Sequence, residues 1–295
     1  MRKRLVGLVP GGPITFVGSL AALVLAATLA LAGCGDRHTT RELVVGSGPE
    51  VDSVLLAQLY AGALRFYGTP ALVESAPDPL TKLDTGEFAV VPGFTGRLLQ
   101  RFQPGARSRS DKRVYRAMVA ALPEGIAAGD YTTAAQDKPA LVVTEVTSRD
   151  WDSRELTALP AHCGQVKVGS VGGSRTPSAV GRCRLQAARE FPDGTALFDA
   201  LRAGRINVAW TTTADPDIPA DMVVLADRKP ALVAAQNAVP LYRRNELTDA
   251  QVLAINEVAG VLDTAGLAEM RRKVAYGADP RLVAEAWLAE HPLGR

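Results

Sequence analysis

The stretch RELVVGSGPEVDSVLLAQLYAGALRFYGTPALVESAPDPLTKLDTGEFAVVPG, residues 41–93, decides the fold. Leu43-Val44-Val45-Gly46 reads as a short buried strand that ends in a Gly-Ser-Gly turn. Pro49 is expected to open a helix, where its missing N–H costs nothing. Along that helix Leu55, Leu56, Leu59, Tyr60, Ala63 and Phe66 recur at spacings that make one apolar face. Ala71 to Glu74 reads as a second strand and residues 79–86 as a short helix stopped by Gly86. Phe88 to Val91 is a third strand before Pro92-Gly93. Strand, helix, strand, helix, strand at these intervals predicts an α/β fold, a parallel sheet with helices packed on it.

The same rhythm returns downstream. Leu141-Val142-Val143 is a strand, Ser153 is placed to cap a short helix, and Val166-Lys167-Val168 is a strand running into Gly169-Ser170-Val171-Gly172-Gly173-Ser174. Thr195 to Arg202 is a helix ended by Gly204, Ile206 to Trp210 a strand before Thr211-Thr212-Thr213, and Met222 to Leu225 the last strand of this set. After Leu241 the chain turns helical. Thr248 and Gln251 form a capping box for a helix carrying Val252, Ile255, Val258 and Leu262. Asp279-Pro280 starts a final helix whose expected buried side is Leu282, Val283, Ala286, Trp287 and Leu288.

Upstream, Arg2, Lys3 and Arg4 precede an apolar run from Ile14 to Leu31 that closes with Leu31-Ala32-Gly33-Cys34. Residues 1–33 read as a secretory signal peptide whose end resembles a bacterial lipobox. Cys34 would then be the first mature residue and carry lipid on its sulfur and amino group. A transmembrane helix is the rival for a run of this length. The Gly11-Gly12-Pro13 break and the small-small-Cys ending favour cleavage. The implied location is the outer face of the bacterial cytoplasmic membrane, lipid-anchored, with residues 34–40 as a polar tether.

Removing residues 1–33 takes away three positive charges and no acid, so the formal +2 becomes −1. A near-neutral chain gives no electrostatic case for nucleic acid. Cys163 and Cys183 remain. Outside the cell an even pair reads as a disulfide, closing a loop of about 20 residues and contributing roughly 3 kcal/mol. A metal site or redox pair is the alternative, but there is no CxxC or His-x3-His, and His162 beside Cys163 matches no common zinc pattern. Between Arg97 and Arg116 stand seven basic residues against one acid, Asp111. They read as a solvated face, or as a surface docking on headgroups or an acidic partner.

Catalytic signatures are scarce. His38 lies in the tether and His291 in the tail, which leaves His162 as the candidate base. No HExxH, P-loop or GxSxG occurs, and Gly46-Ser47-Gly48 lacks the remaining glycine of a dinucleotide fingerprint. No catalytic residue, cofactor or metal is expected, and the weight moves to binding. The enzymatic rival is an extracytoplasmic hydrolase using Ser47 or Ser174, disfavoured by the lack of a well-placed His.

Three segments together carry a family resemblance. The first is Leu43 to Ser47 followed, after a helix, by Leu83-Asp84-Thr85-Gly86-Glu87-Phe88-Ala89-Val90-Val91-Pro92-Gly93-Phe94-Thr95-Gly96. The second is Leu201-Arg202-Ala203-Gly204-Arg205-Ile206-Asn207-Val208-Ala209-Trp210-Thr211-Thr212-Thr213-Ala214-Asp215. The third is Leu247 to Gln251 with Ala278-Asp279-Pro280 and the helix to Leu288. In order and spacing they resemble the glycine betaine/choline/carnitine substrate-binding family of ABC importers.

That resemblance implies a two-lobed periplasmic-binding-protein fold, type II-like, in which the chain crosses between lobes twice. Lobe I would be residues 41–140 and 228–295, and lobe II residues 141–227. It implies a small osmolyte, such as glycine betaine, choline or a related amine, held in the interlobe cleft, with ABC permease subunits as protein partners. In the family the quaternary ammonium sits in a cage of aromatic faces. Here Val91 and Gly93 stand where the family's turn has an aromatic and a Glu, and Gln236-Asn237 where many members place aromatics. Phe94 and Trp210 remain as aromatic candidates, expected to sandwich the ligand and to carry little of the core. Ser47 and Gly48 would offer N–H groups to a ligand carboxylate, and Thr95, Thr211, Gln236 and Asn237 would line the rim. The rival is an envelope lipoprotein that keeps the fold but acts through protein or lipid interaction.

Overall fold

The computed structural model describes residues 42–294, together with Gly11. The apolar run, Cys34 and the tether therefore lie outside the described residues. No described helix is long and apolar enough to cross a membrane.

The first half of the chain forms β1 (Leu43–Ser47), α1 (Val51–Phe66), β2 (Ala71–Ser75), α2 (Pro79–Thr85), β3 (Val90–Phe94), α3 (Thr95–Phe102), α4 (Asp111–Ala121) and β4 (Ile126–Ala128). The middle forms β5 (Pro139–Thr144), α5 (Glu145–Asp150), α6 (Leu159–His162), β6 (Val168–Val171), β7 (Ala179–Val180) and β8 (Cys183–Arg184). It continues through β9 (Arg189–Phe191), α7 (Gly194–Arg202), β10 (Val208–Thr212) and β11 (Met222–Val224). The return contributes β12 (Ala238–Arg243), α8 (Asp249–Val261), α9 (Thr264–Ala275) and α10 (Pro280–Glu290).

Two five-stranded sheets result, ordered β2-β1-β3-β12-β4 and β9-β6-β10-β5-β11. They share one plan. In each, the first three strands are parallel, and the fourth runs antiparallel to both of its neighbours. That fourth strand is in both cases the one arriving from the other sheet. The crossings, residues 129–138 and 225–237, meet in an antiparallel bridge between Gln136 and Asn237. The architecture is α/β and two-lobed.

On the first sheet, α1 lies beneath a second layer of helices. Its residues Leu55 to Leu64, Gln58 excepted, are buried, in a core shared with Ile255 and Val258 of α8, Leu267 and Met270 of α9, and Trp287 of α10. The single apolar face read from the sequence thus extends around most of the helix, because the chain's last third covers its outer side. α2, α3 and α4 cover the opposite face through Leu83, Leu98, Leu99, Val114 and Met118. The second sheet has one core containing Trp210 and Cys183 and another under α7.

Several boundaries differ from the sequence reading. α1 begins at Val51 with Glu50 as N-cap, so Pro49 precedes the helix instead of opening it. β3 continues through Pro92-Gly93 to Phe94. Pro92 lies opposite Pro240, and the Pro240 carbonyl is turned to the other side, where it accepts from Gly129 N. Facing prolines at such a position ask no N–H of each other, so the ladder survives them. α5 is capped by Thr144, while Ser153 follows that helix and accepts from Glu155 N. In α10 the buried residues are Val283, Ala284 and Trp287, and Leu282 and Ala286 face solvent. Gly86 ends α2 at φ 79°, a left-handed conformation suited to glycine.

Cys163 and Cys183 are disulfide-bonded with Cα atoms 5.6 Å apart. The bond pins the segment after α6 to the β7–β8 hairpin over the core that holds Trp210. Reduction is expected to cost roughly 3 kcal/mol, since the tie restricts the unfolded loop. A urea transition unchanged by reductant would contradict this.

Candidate functional site

The C-terminal ends of β3 and β10, parallel strands of the two sheets, run into the two crossings through Thr95 and Thr213. That is where open α/β sheets hold ligands. Residue by residue, the junction is built from neutral hydrogen bonds and closed ion pairs.

On the first sheet, Thr95 begins α3 and holds the returning crossing. Its Oγ1 donates to Ala235 O (3.5 Å) and accepts from Asn237 N (3.1 Å), while its N–H donates to Asn237 O (3.0 Å). Gln236 Oε1 accepts from Arg97 N (2.9 Å), capping one of the free N–H groups at the start of α3. Gly96 is required here, because a Cβ on it would lie 2.5 Å from Ala235 O. On the second sheet, Thr213 follows β10 and ties the outgoing crossing. It accepts from Lys138 N (3.0 Å), and it donates from Oγ1 to Gln136 O and from N to Lys138 O (both 2.8 Å). The next residue, Ala214, is buried in the first sheet's core. The lobes therefore touch through this loop as well as through the crossings.

The charges at the junction are matched. Asp137, in the outgoing crossing and 2% exposed, accepts from Arg97 (2.8 Å) and Arg271 (2.9 Å). Asp52, in the first turn of α1, takes the same two arginines at 3.3 and 4.0 Å. Lys138 pairs with Asp227 at 3.0 Å, joining one crossing to the other, and Asp227 also accepts from Leu232 N and Val233 N. Three bases and three acids thus satisfy one another.

Four buried side-chain oxygens are left without a partner among the described residues: Ser47 Oγ, Gln136 Oε1, Thr212 Oγ1 and Asn237 Oδ1. Ser47 ends β1, Thr212 ends β10, and Gln136 and Asn237 are the bridged pair of the crossings. Buried polar atoms are nearly always paired, so these four are exceptions, two at strand ends and two in the crossings.

The residues expected from the sequence are distributed as follows. Thr95, Gln236 and Asn237 come together at the junction, and Ser47 ends β1, the strand beside β3. Gly48 N already donates to Ser53 Oγ (2.7 Å), so that N–H serves the turn. Thr211 Oγ1 donates to the Asp215 carboxylate, which also accepts from Asp217 N. Phe94 (4% exposed) belongs to the first sheet's core and Trp210 (3% exposed) to the second's. Each ring fills its own lobe, and the Arg97 guanidinium lies over the Phe94 ring, 4.7 Å from its centroid. The expected sandwich with little core role thus differs from their packing. Asp52, Gln136, Asp137, Thr212, Thr213 and Arg271 were not singled out individually. The signal for Thr212 and Thr213 was the Thr run ending a strand; Gln136 and Asp137 sit in a loop with no periodicity to expose them. His162 stacks on Trp151 at 4.7 Å. In the basic stretch, Arg101 pairs with Asp78 and Arg97 is used at the junction, while Arg107, Arg109, Lys112, Arg113 and Arg116 are exposed.

Residues 186–290 match the family described as the substrate binding domain of the ABC-type glycine betaine transport system. No curated protein matches the sequence. Among solved structures, a glycine betaine/carnitine/choline ABC transporter protein aligns with a TM-score of 0.70 and 16% identity, over 84% of this chain and 98% of that one. Apo YehZ from Escherichia coli aligns at 0.66 and 15%, over 85% and 98%. Lactococcal OpuAC, closed around glycine betaine, aligns at 0.51 and 12%, over 84% and 95%. At these identities the likeness establishes the fold alone, two α/β lobes joined by two crossings.

Proposed function

We propose that this chain is the extracytoplasmic substrate-binding protein of an ABC importer, taking a small osmolyte-like solute between its lobes and delivering it to permease subunits. The observation that carries this reading is the pair of sheets of identical plan, joined by two crossings that bridge each other at Gln136 and Asn237. Two lobes on a paired hinge can open and close around a solute, and the domain match over residues 186–290 supports the same role. Binding rather than catalysis is its work, with lobe I built on the first sheet, lobe II on the second from β5 onward, and the crossings 129–138 and 225–237 between them. Ser47, Thr95, Gln236 and Asn237 stand nearest the solute or hold the hinge beside it.

The anchor belongs to the same proposal. Residues 1–33 are a lipoprotein signal and Cys34 the acylated first mature residue, which tethers the lobes to the outer face of the membrane. Cys34→Ala is expected to leave the protein unprocessed or released; unchanged mass and detergent partition would refute the lipobox.

The experiment for the binding role is a thermal-shift screen against betaine, choline, carnitine, ectoine, polyamines, polyols and sugars. A solute at 100 times its dissociation constant should stabilise the protein by about 2.7 kcal/mol. Failure of every small solute to stabilise it would overturn the reading and favour an envelope lipoprotein that acts through its surface.

A further inference from the structure

We infer that the groove between α4 and α8, over the start of the outgoing crossing, is a binding site for a small organic ammonium ion, separate from the interlobe junction. The groove has a volume of about 470 Å³, a size that suits a small ligand. α4 contributes Tyr115 to its lining, the crossing Asp130 and Tyr131, and α8 Leu253, Asn256 and Glu257. The walls are fastened at one point. Tyr115 Oη donates to Gly129 O (2.9 Å) and Asp130 N donates to Asn256 Oδ1 (2.8 Å), so both helices are held to the same two residues of the crossing. Gly129 is required for this approach, because a Cβ on it would collide with the Asn256 side chain. Leu253, Asn256 and Glu257 follow at i, i+3 and i+4, which puts them on one face of α8.

The lining is anionic and aromatic. Asp130 and Glu257 are its charged side chains, and no Lys or Arg lines it. Glu257 accepts from Gly294 N (3.0 Å). Asp130 bonds through its backbone N–H, and its carboxylate is exposed and unpaired among the described residues. Beside them the rings of Tyr115 and Tyr131 lie 4.6 Å apart, tilted by 36°. Burial and then the charge of Asp130 push the Tyr115 hydroxyl up from its ordinary value; burial and then Asp111 do so for Tyr131, with Arg116 opposing. Both rings are therefore neutral phenols whose faces attract a cation. An anion would meet two carboxylates, and a neutral solute gains nothing from them. An ammonium ion gains the carboxylates through its N–H groups and the rings through its charge. Its alkyl part gains Leu253, an apolar side chain left 56% exposed.

The junction takes no part. Thr132, between Tyr131 and the rest of the crossing, bonds to the returning chain: its carbonyl accepts from Asn237 Nδ2 (2.8 Å) and its Oγ1 from Ala238 N (3.1 Å). The junction's own bonds run among Thr95, Arg97, Ala235, Gln236 and Asn237, none of which lines the groove.

The test is titration calorimetry at low salt on the full chain in a non-ionic detergent, with n-butylammonium and putrescine as cationic probes and n-butanol as the neutral match. Both amines should bind and the alcohol should not. Asp130→Asn should weaken amine binding about 3- to 5-fold, the upper part of what an exposed ion pair contributes, and leave the urea midpoint unchanged. Tyr131→Leu should weaken it about 2- to 5-fold through the loss of one ring face. Added salt should weaken it in the wild-type chain. Glu190→Gln, at an exposed carboxylate of β9 on the other sheet, should leave it unaltered. Absence of amine binding, or equal binding of butanol, overturns the inference. So does amine binding that Asp130→Asn and Tyr131→Leu both leave unchanged, which would put the amine elsewhere, the interlobe cleft included. A loss in Glu190→Gln as large as that in Asp130→Asn overturns it too, as the mark of unspecific attraction.

Discussion

Trp210→Ala is expected to lower the unfolding free energy by about 3–5 kcal/mol, and Phe94→Ala by a similar amount. Both rings are almost wholly enclosed, Trp210 among Leu141, Val143, Val208 and Val223 of the second sheet and Phe94 beside Val45, Val90 and Ala238 of the first. Removing either ring leaves a cavity in a lobe that has nothing else of that size to collapse into it, so the loss exceeds the transfer energy of the missing atoms. Urea unfolding of the two variants measures this directly. If the importer reading is right and the rings are core, solute affinity of whatever variant remains folded should change less than stability does. Unaltered urea midpoints with lost binding would instead put both rings in the cleft.

That expectation reverses the one drawn from sequence, and the reason lies in what periodicity can express. The alternation of Leu43-Val44-Val45 with a helix and two further strands fixes a parallel α/β arrangement, because strand and helix have different periods and the intervals fit nothing else. The Thr248–Gln251 capping box and the Asp279-Pro280 start were equally readable, since each depends on a few adjacent residues. Phe94 and Trp210 were harder. A residue at the end of a strand next to a turn can point into the core or into the cleft, and the choice is made by partners far away in the chain: Ala238 and Ala135 in one case, Val180 and Leu225 in the other. The family resemblance implies an aromatic site, whereas the junction is held by neutral hydrogen bonds and paired charges. Arg97 illustrates the limit well. In sequence it was one of seven basic residues on a face; in the fold it is held by Asp137, forty residues on, and by Asp52, forty-five residues back.

Asp137→Ala should produce the second large effect, a loss of about 3 kcal/mol, at the lower end of what breaking a buried ion pair costs. The lower end applies because its two partners differ in their exposure. Arg97 is 52% exposed and keeps Asp52 at 3.3 Å, so water and a second carboxylate offset much of its loss. Arg271 is 21% exposed, and its remaining carboxylate is 4.0 Å away, which leaves a largely enclosed guanidinium without a close counter-charge. The double variant Asp137→Ala with Arg271→Met should therefore recover part of the loss, and Arg97→Met in the same background should recover less. Strict additivity of the Asp137 and Arg271 substitutions would remove the basis for the argument. Salt gives an independent check. Screening weakens exposed pairs far more than enclosed ones, so the Asp137→Ala loss should persist at high salt, while the smaller loss in Asp52→Ala should shrink. The consequence for function follows from where Asp137 sits. It is the point at which the outgoing crossing is fastened to both α3 and α9, and Lys138 beside it is fastened to Asp227 on the returning one. Releasing Asp137 loosens the hinge from lobe I while leaving the two crossings joined to each other. Solute binding in the variant should then weaken through a wider range of lobe positions.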